Sequence, residues 1–167
     1  ITSASGTVTM DDGQGDSLWN IQGNQLSLAA DHTFSGAAGD DDFNVFLAAD
    51  TLMSPNSFQI NGNGPSATTA NRDRVNIDAT LDTITRTITA TYVDATKLSG
   101  DLDVAGLGTL IDLNTVEQVN YDGDAGNDDV LTVKGTAADD TLSVTPLDDN
   151  AANVFIDGAP LLTIPPD

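Results

Sequence analysis

A chain of 167 residues with 26 acidic and 5 basic side chains, a formal charge of −21 and no cysteine is long enough for one domain with a real core. It lacks the basic footprint that grips a phosphate backbone, any thiol nucleophile or thiolate metal site, and, with His32 as its single histidine, the usual multi-histidine zinc site. No window approaches the run of about 18 apolar residues that marks a membrane span, so neither nucleic acid nor membrane insertion is expected.

The acids are 25 Asp and one Glu, Glu117. Asp bonds its own local backbone, favours turns and avoids helix interiors. Alongside 21 Thr, 15 Gly and 13 Asn, this reads as short strands joined by tight turns. A hydrophobic content of 39% and ordered alternation argue against disorder.

In chain order, strands are predicted over 17–21, 25–29, 42–47, 57–61 and 74–79. The clearest follows at 81–93, where Thr holds positions 83, 85, 87, 89 and 91 and Ile84, Arg86, Ile88, Ala90 and Tyr92 hold the other parity. Further strands are predicted over 116–121, 130–134, 141–145, 153–156 and 160–164. Turn residues separate them at Gly13 and Gly15, Gly23-Asn24, 36–41, 62–64, 123–128, Gly135 and Asp157-Gly158. Helix is limited to single turns at 29–31 and 47–53. Phe43, Phe46, Phe58 and Phe155 are expected to fill the core, with Trp19 core-like or capping one end, and His32 is expected in an exposed turn after Asp31.

The chain also resembles itself. IQGNQLSL at 21–28 matches IDGAPLLT at 156–163, each downstream of a D-x-L step (Asp16 to Leu18, Asp140 to Leu142). Residues 1–167 are therefore expected to be a single β module, about one unit plus the start of the next from a longer array. The start at Ile1 and the end at Pro165-Pro166-Asp167 are read as the product of processing or excision.

One pattern carries chemistry: a glycine, spacers, Asp, one residue, then an apolar residue. It occurs as GAAGDDDFN at 36–44, GDAGNDDVL at 123–131, GTAADDTLS at 135–143 and, truncated, DGQGDSLW at 12–19. Aligned this way, the key acids are Asp41, Asp128, Asp140 and Asp16, and the apolar partners Phe43, Val130, Leu142 and Leu18. Ca²⁺ takes about six to eight oxygen ligands and accepts carboxylates and carbonyls together. The candidate ligands are Asp16, Asp41, Asp42, Asp122, Asp124, Asn127, Asp128, Asp129, Asp139 and Asp140. The crowded acids of 122–140, with Glu117 upstream, repel one another unless a cation or open water intervenes. Asp-Gly turns without any ion explain the same residues individually.

The pattern resembles the glycine- and aspartate-rich nonapeptide of the RTX calcium-binding β-roll. It is also similar to the degenerate versions that recur in very large secreted proteins of planctomycetes and other environmental bacteria, as in VEQVNYDGDAGNDDVLTVKGTAADDTLSVTP at 116–146. The resemblance implies a parallel β-solenoid, carbonyls and Asp carboxylates turned toward Ca²⁺, and the apolar residue entering the core. The chain departs from it in spacing: the second and third copies begin 12 residues apart (135 − 123), and the second glycine is Asp124 in one copy and Thr136 in the other.

Catalytic constellations are sparse. A lyase-type base would have to come from Arg72, Arg74, Arg86, Lys97 or Lys134, which read better as partners of local acids. His32 has no nucleophile-elbow pattern around it. The expected fold is all-β, a right-handed parallel β-helix or β-solenoid, with an antiparallel β-sandwich as the alternative, favoured by the long strand at 81–93. The expected function is non-enzymatic. The chain reads as a structural repeat module of a secreted, acidic, calcium-stabilised cell-surface or matrix protein, forming filaments. Its expected partners are neighbouring modules of the same chain or identical subunits, and extracellular polysaccharide. The alternatives are an adhesin or carbohydrate-binding module and a polysaccharide-lyase-like β-helix enzyme.

Overall fold

The computed structural model describes residues 8–11, 13, 15–22, 31–36, 38–47, 57–63, 73–81, 85, 87–94, 99–104, 109–116, 118–123, 130–146, 152–156 and 159–164. These form strands β1 (Val8–Asp11), β2 (Leu18–Gln22), β3 (Asp31–Ser35), β4 (Asp42–Phe46), β5 (Ser57–Asn61), β6 (Arg74–Asp78), β7 (Thr87–Asp94), β8 (Ser99–Val104), β9 (Leu110–Asn114), β10 (Gln118–Asp122), β11 (Val130–Lys134), β12 (Leu142–Pro146), β13 (Ala152–Ile156) and β14 (Ala159–Ile164). The protein is all-β, and no helix occurs among the described residues.

The strands make two seven-stranded sheets, ordered β1-β3-β5-β9-β8-β7-β11 and β12-β13-β14-β10-β6-β4-β2. From β1 to β6 the chain alternates between them, one strand to each in turn. Parallel neighbours need a crossover, ordinarily a helix; here a strand of the opposite sheet makes it. Thus β3 pairs parallel with β5, with β4 between them in sequence, and β4 pairs parallel with β6 across β5. Antiparallel pairing enters both sheets later, through β7-β8-β9 in the first and β14-β13-β12 in the second. Both sheets are therefore mixed, and an all-antiparallel sandwich does not describe the chain.

Alternation places the core. In β4 and β6, Phe43, Val45, Val75 and Ile77 are buried, while Asp42, Asn44, Asn76 and Asp78 face outward. The first sheet answers with Phe34, Phe58, Ile60, Ile88, Leu102 and Ile111, and one apolar cluster joins the two inner faces. At the β2 end, Trp19 lies parallel to Phe43 with centroids 6.5 Å apart and edge-on to Phe34 at 6.0 Å, an arrangement that suits the aromatic quadrupole.

Several expectations change. His32 is not in an exposed turn: it lies on β3, 2% exposed, its ring parallel to Phe34 at 6.4 Å. Phe46 faces out of the sheet, half-buried, because Phe43 and Val45 take the inward parity of the same strand. The long strand at 81–93 begins later, at Thr87, after a turn at Thr80 and Leu81, yet its parity is as read, with Ile88 and Ala90 buried. The strand expected at 25–29 lies outside the described residues, as do Arg72, Arg86 and Lys97.

Candidate functional site: the turn carboxylates and the asparagine row

The motif acids sit where the chain crosses from the first sheet to the second. Asp41 follows β3 and immediately precedes β4, and its side chain is 0% exposed. Its Oδ1 accepts the backbone N–H of Ser17 at 2.9 Å, one parallel strand away. Its own N–H donates to Oδ1 of Asp73 at 3.0 Å, one strand away on the other side. Asp73, 1% exposed, holds the equivalent place before β6. Each carboxylate thus fastens the backbone of the turn before it, a charge-assisted bond of the stronger class. Main-chain bonds run alongside: Asp42 N–H to Ser17 O at 2.8 Å, Arg74 N–H to Asp41 O at 2.8 Å and Gln118 N–H to Asp73 O at 3.1 Å.

The glycine of the motif has a steric reason. Gly36 and Gly135 each lie against the carboxylate five residues on, Asp41 and Asp140, and a Cβ at either would collide with it. Gly62 stands in the same relation to Asp73, 11 residues on in sequence. The missing side chain lets the carboxylate fold back over its own turn. Thr115 takes the matching place one strand further on, next to Asn114, which pairs with Asn61. Its φ is +56°, a strained conformation for a β-branched residue. The Thr115 hydroxyl offsets this by accepting the Asn63 N–H at 2.8 Å and donating to Asn114 O at 2.7 Å.

The other acids chosen from sequence are dispersed. Asp42 faces outward and pairs with Arg74 through Nε at 2.7 Å and Nη2 at 3.1 Å. That bond, opposed by desolvation and reinforced by the charges of Asp42, Asp40 and Asp73, raises the guanidinium above its ordinary pKa. Arg74 is thus held by an acid 32 residues away in sequence, across the sheet. Asp16 is exposed and accepts the Asp40 N–H at 3.0 Å. Asp140 Oδ1 accepts the Thr136 hydroxyl at 2.8 Å, Asp139 is exposed, and Asp122 ends β10 on the outer face of its sheet. Asp124, Asn127, Asp128 and Asp129 lie outside the described residues. Among the described residues no three His, Asp or Glu side chains converge as an ion requires.

The sequence alignment of the fourth copy is off by one. Leu18 pairs with Asp42 and Trp19 with Phe43, so Ser17, not Asp16, is the counterpart of Asp41. A one-residue slip exchanges faces: Leu18 is 64% exposed and Trp19 packs on the core. Val130 is half exposed for the same reason: it pairs with outward-facing Thr87, while Leu131 pairs with buried Ile88. Leu142, on the face that Val154 buries, is half exposed because β12 is a terminal strand.

The sequence reading missed a second feature. Asn20, Asn44, Asn76 and Asn120 occupy one register across β2, β4, β6 and β10. Their amides form a chain: Asn120 Nδ2 donates to Asn76 Oδ1 at 2.6 Å, Asn76 to Asn44 at 2.7 Å and Asn44 to Asn20 at 3.2 Å. Gln118 Nε2 feeds it by donating to Asn120 Oδ1 at 2.7 Å. The signal was present as WNI, FNV, VNI and VNY, an asparagine between two core residues in each strand.

Comparison of the chain with protein-family models, with curated proteins and with solved structures finds no match.

Proposed function

We propose that the chain is a structural module, a flattened parallel β-solenoid that works by stacking on copies or neighbouring modules in an acidic assembly outside the cell. The observation that carries this reading is where the polar side chains are spent. Asp41, Asp73 and the asparagine row bond strand to strand and turn to turn, and no group of catalytic type is assembled from them. The alternation of strands between two sheets from β1 to β6 supports a solenoid path, and the strong preference for right-handed crossovers supports that hand.

Both ends of the stack support assembly. Among the described residues, β1 and β2 form one pair of sheet edges, β11 and β12 the other. Edges carry unpaired backbone groups and accept a further strand. Leu18 at one end and Val130, Leu142 and Val144 at the other are exposed, and the Trp19 indole N–H is buried with no acceptor among the described residues. Lys134 and Pro146 occupy the last positions of β11 and β12, leaving the preceding residues of each edge to pair. Two unlike ends give head-to-tail association and hence open filaments. The calcium expected from the RTX resemblance is a proposal that rests on Asp124, Asn127, Asp128 and Asp129.

Sedimentation velocity across a concentration series tests the reading. The chain should form concentration-dependent oligomers that strengthen with salt, since a charge of −21 per copy repels until screened. Leu18→Lys with Val144→Lys should return it to monomer. A single monomeric species at every concentration and salt overturns the proposal.

A further inference from the structure

The outer face of the second sheet carries a cavity of about 470 Å³ over β4, β6 and β10, within the range of roughly 300–1,000 Å³ typical of ligand sites. A plain outer sheet face gives no reason for a cavity there, and the stacking role does not use one.

Its lining has a definite chemistry. Asn44, Asn76, Asn120 and Gln118 present amides, Asp78 and Asp122 carboxylates, and Phe46 an aromatic ring. Among the described residues no cationic side chain lines it, and Arg74, beside Gln118 in the strand register, is already engaged by Asp42, so an anionic ligand meets two carboxylates that repel it. The polar groups are held in place before any ligand arrives. Gln118 donates to Asn120, Asn120 to Asn76 and Asn76 to Asn44, and Asp78 Oδ1 accepts both the N–H and the hydroxyl of Thr80, at 3.1 and 2.7 Å. A side-chain amide has two N–H donors and two acceptor lone pairs. In the groove, Asn44, Asn76 and Asn120 each spend one N–H on the next asparagine of the row, which leaves the second N–H of each amide for another acceptor. These donors repeat at the strand spacing of about 4.8 Å.

We propose that this groove binds a neutral polyhydroxylated ligand, a short stretch of uncharged glycan. Vicinal hydroxyls donate to the Asp78 and Asp122 carboxylates and accept from the asparagine amides. Phe46, half-buried on the same outward parity as Asn44, offers its ring to the apolar face of a sugar. The regular amide spacing matches an extended chain of repeating hydroxyl groups better than a compact ligand. This is a binding function beyond the structural reading, and it stands or falls separately from assembly.

Titration calorimetry tests it with short gluco-, manno-, xylo- and chito-oligosaccharides as neutral probes and an oligouronate as the charged control. At least one neutral series should bind and the oligouronate should not. Phe46→Ala should weaken binding by about two- to tenfold, the scale of a lost aromatic contact, and Asp122→Asn should weaken it as well. Leu142→Ser, on β12 away from the groove, should bind as the parent does. Binding by none of the neutral probes, equal binding of the oligouronate, or full affinity retained in both groove variants with parent-like melting overturns the proposal.

Discussion

Replacing Asp41 by alanine isolates the turn-to-turn bond. The substitution removes a fully buried carboxylate and strands the Ser17 N–H that it accepts at 2.9 Å. A hydrogen bond to a charged group contributes about 1.5–3 kcal/mol, and the orphaned donor adds to the loss. Relief of the carboxylate's own desolvation works in the opposite direction. The donor term wins, because removing one partner of a buried pair leaves the other unsatisfied, and the net cost is about 2–3 kcal/mol. For a chain of this size that is a drop in Tm of about 4–12 °C. Asp41→Asn keeps an Oδ1 acceptor in place and should cost about 1 kcal/mol or less. Thermal and urea unfolding followed by far-UV circular dichroism measures both, with the midpoint moving and the urea slope unchanged. The drop should be the same in chelator and in added Ca²⁺. Asp41→Ala melting within about 1 °C of the parent, or a loss that appears only in Ca²⁺, would refute the reasoning.

Three other outcomes follow from the same geometry. The three nearest atoms to a Cβ at Gly135 all belong to Asp140, so Gly135→Ala should destabilise by about 1–3 kcal/mol alone and by much less on an Asp140→Ala background; additive costs in the double-mutant cycle would contradict the contact. Asn76 makes two amide bonds of the row where Asn20 makes one, so Asn76→Ala should cost about 1–2 kcal/mol and Asn20→Ala about half that by chemical denaturation. The Asp42–Arg74 pair is about one-third exposed on both sides, so Arg74→Gln should change stability by no more than about 1 kcal/mol, with the difference shrinking in salt.

The parts of the fold written in local alternation were legible. The strands at 57–61 and 130–134 match β5 and β11, and the period-two alternation read at 81–93 holds along β7, where Ile88 and Ala90 are the buried parity. β3 was missed because Asp31 and His32 look like a turn; burial of His32 depends on pairing with β1 and β5, which no local pattern encodes. β8 and β9, with SGDLDV and LIDLN, carry acids on their outward parity and so resemble loop. The glycine-to-aspartate motif found Asp41 and Asp140 but not Asp73, whose glycine lies 11 residues back at Gly62. At Asp41 and Asp73 the carboxylate accepts a backbone N–H brought to it by parallel stacking, a use of the side chain that the glycine-to-aspartate spacing does not reveal. The asparagine row was legible in the recurring apolar-Asn-apolar triplets, but its spacing of 24, 32 and 44 residues hides it from a search for a fixed period.

The most direct test of carboxylate fastening is amide hydrogen exchange at Ser17 in the parent and in Asp41→Ala. The Ser17 amide should be protected in the parent, and that protection should be lost in the variant while the amides of β4 and β6 stay protected. A Ser17 amide that exchanges freely in the parent, or one whose protection is unchanged by the substitution, would contradict the account.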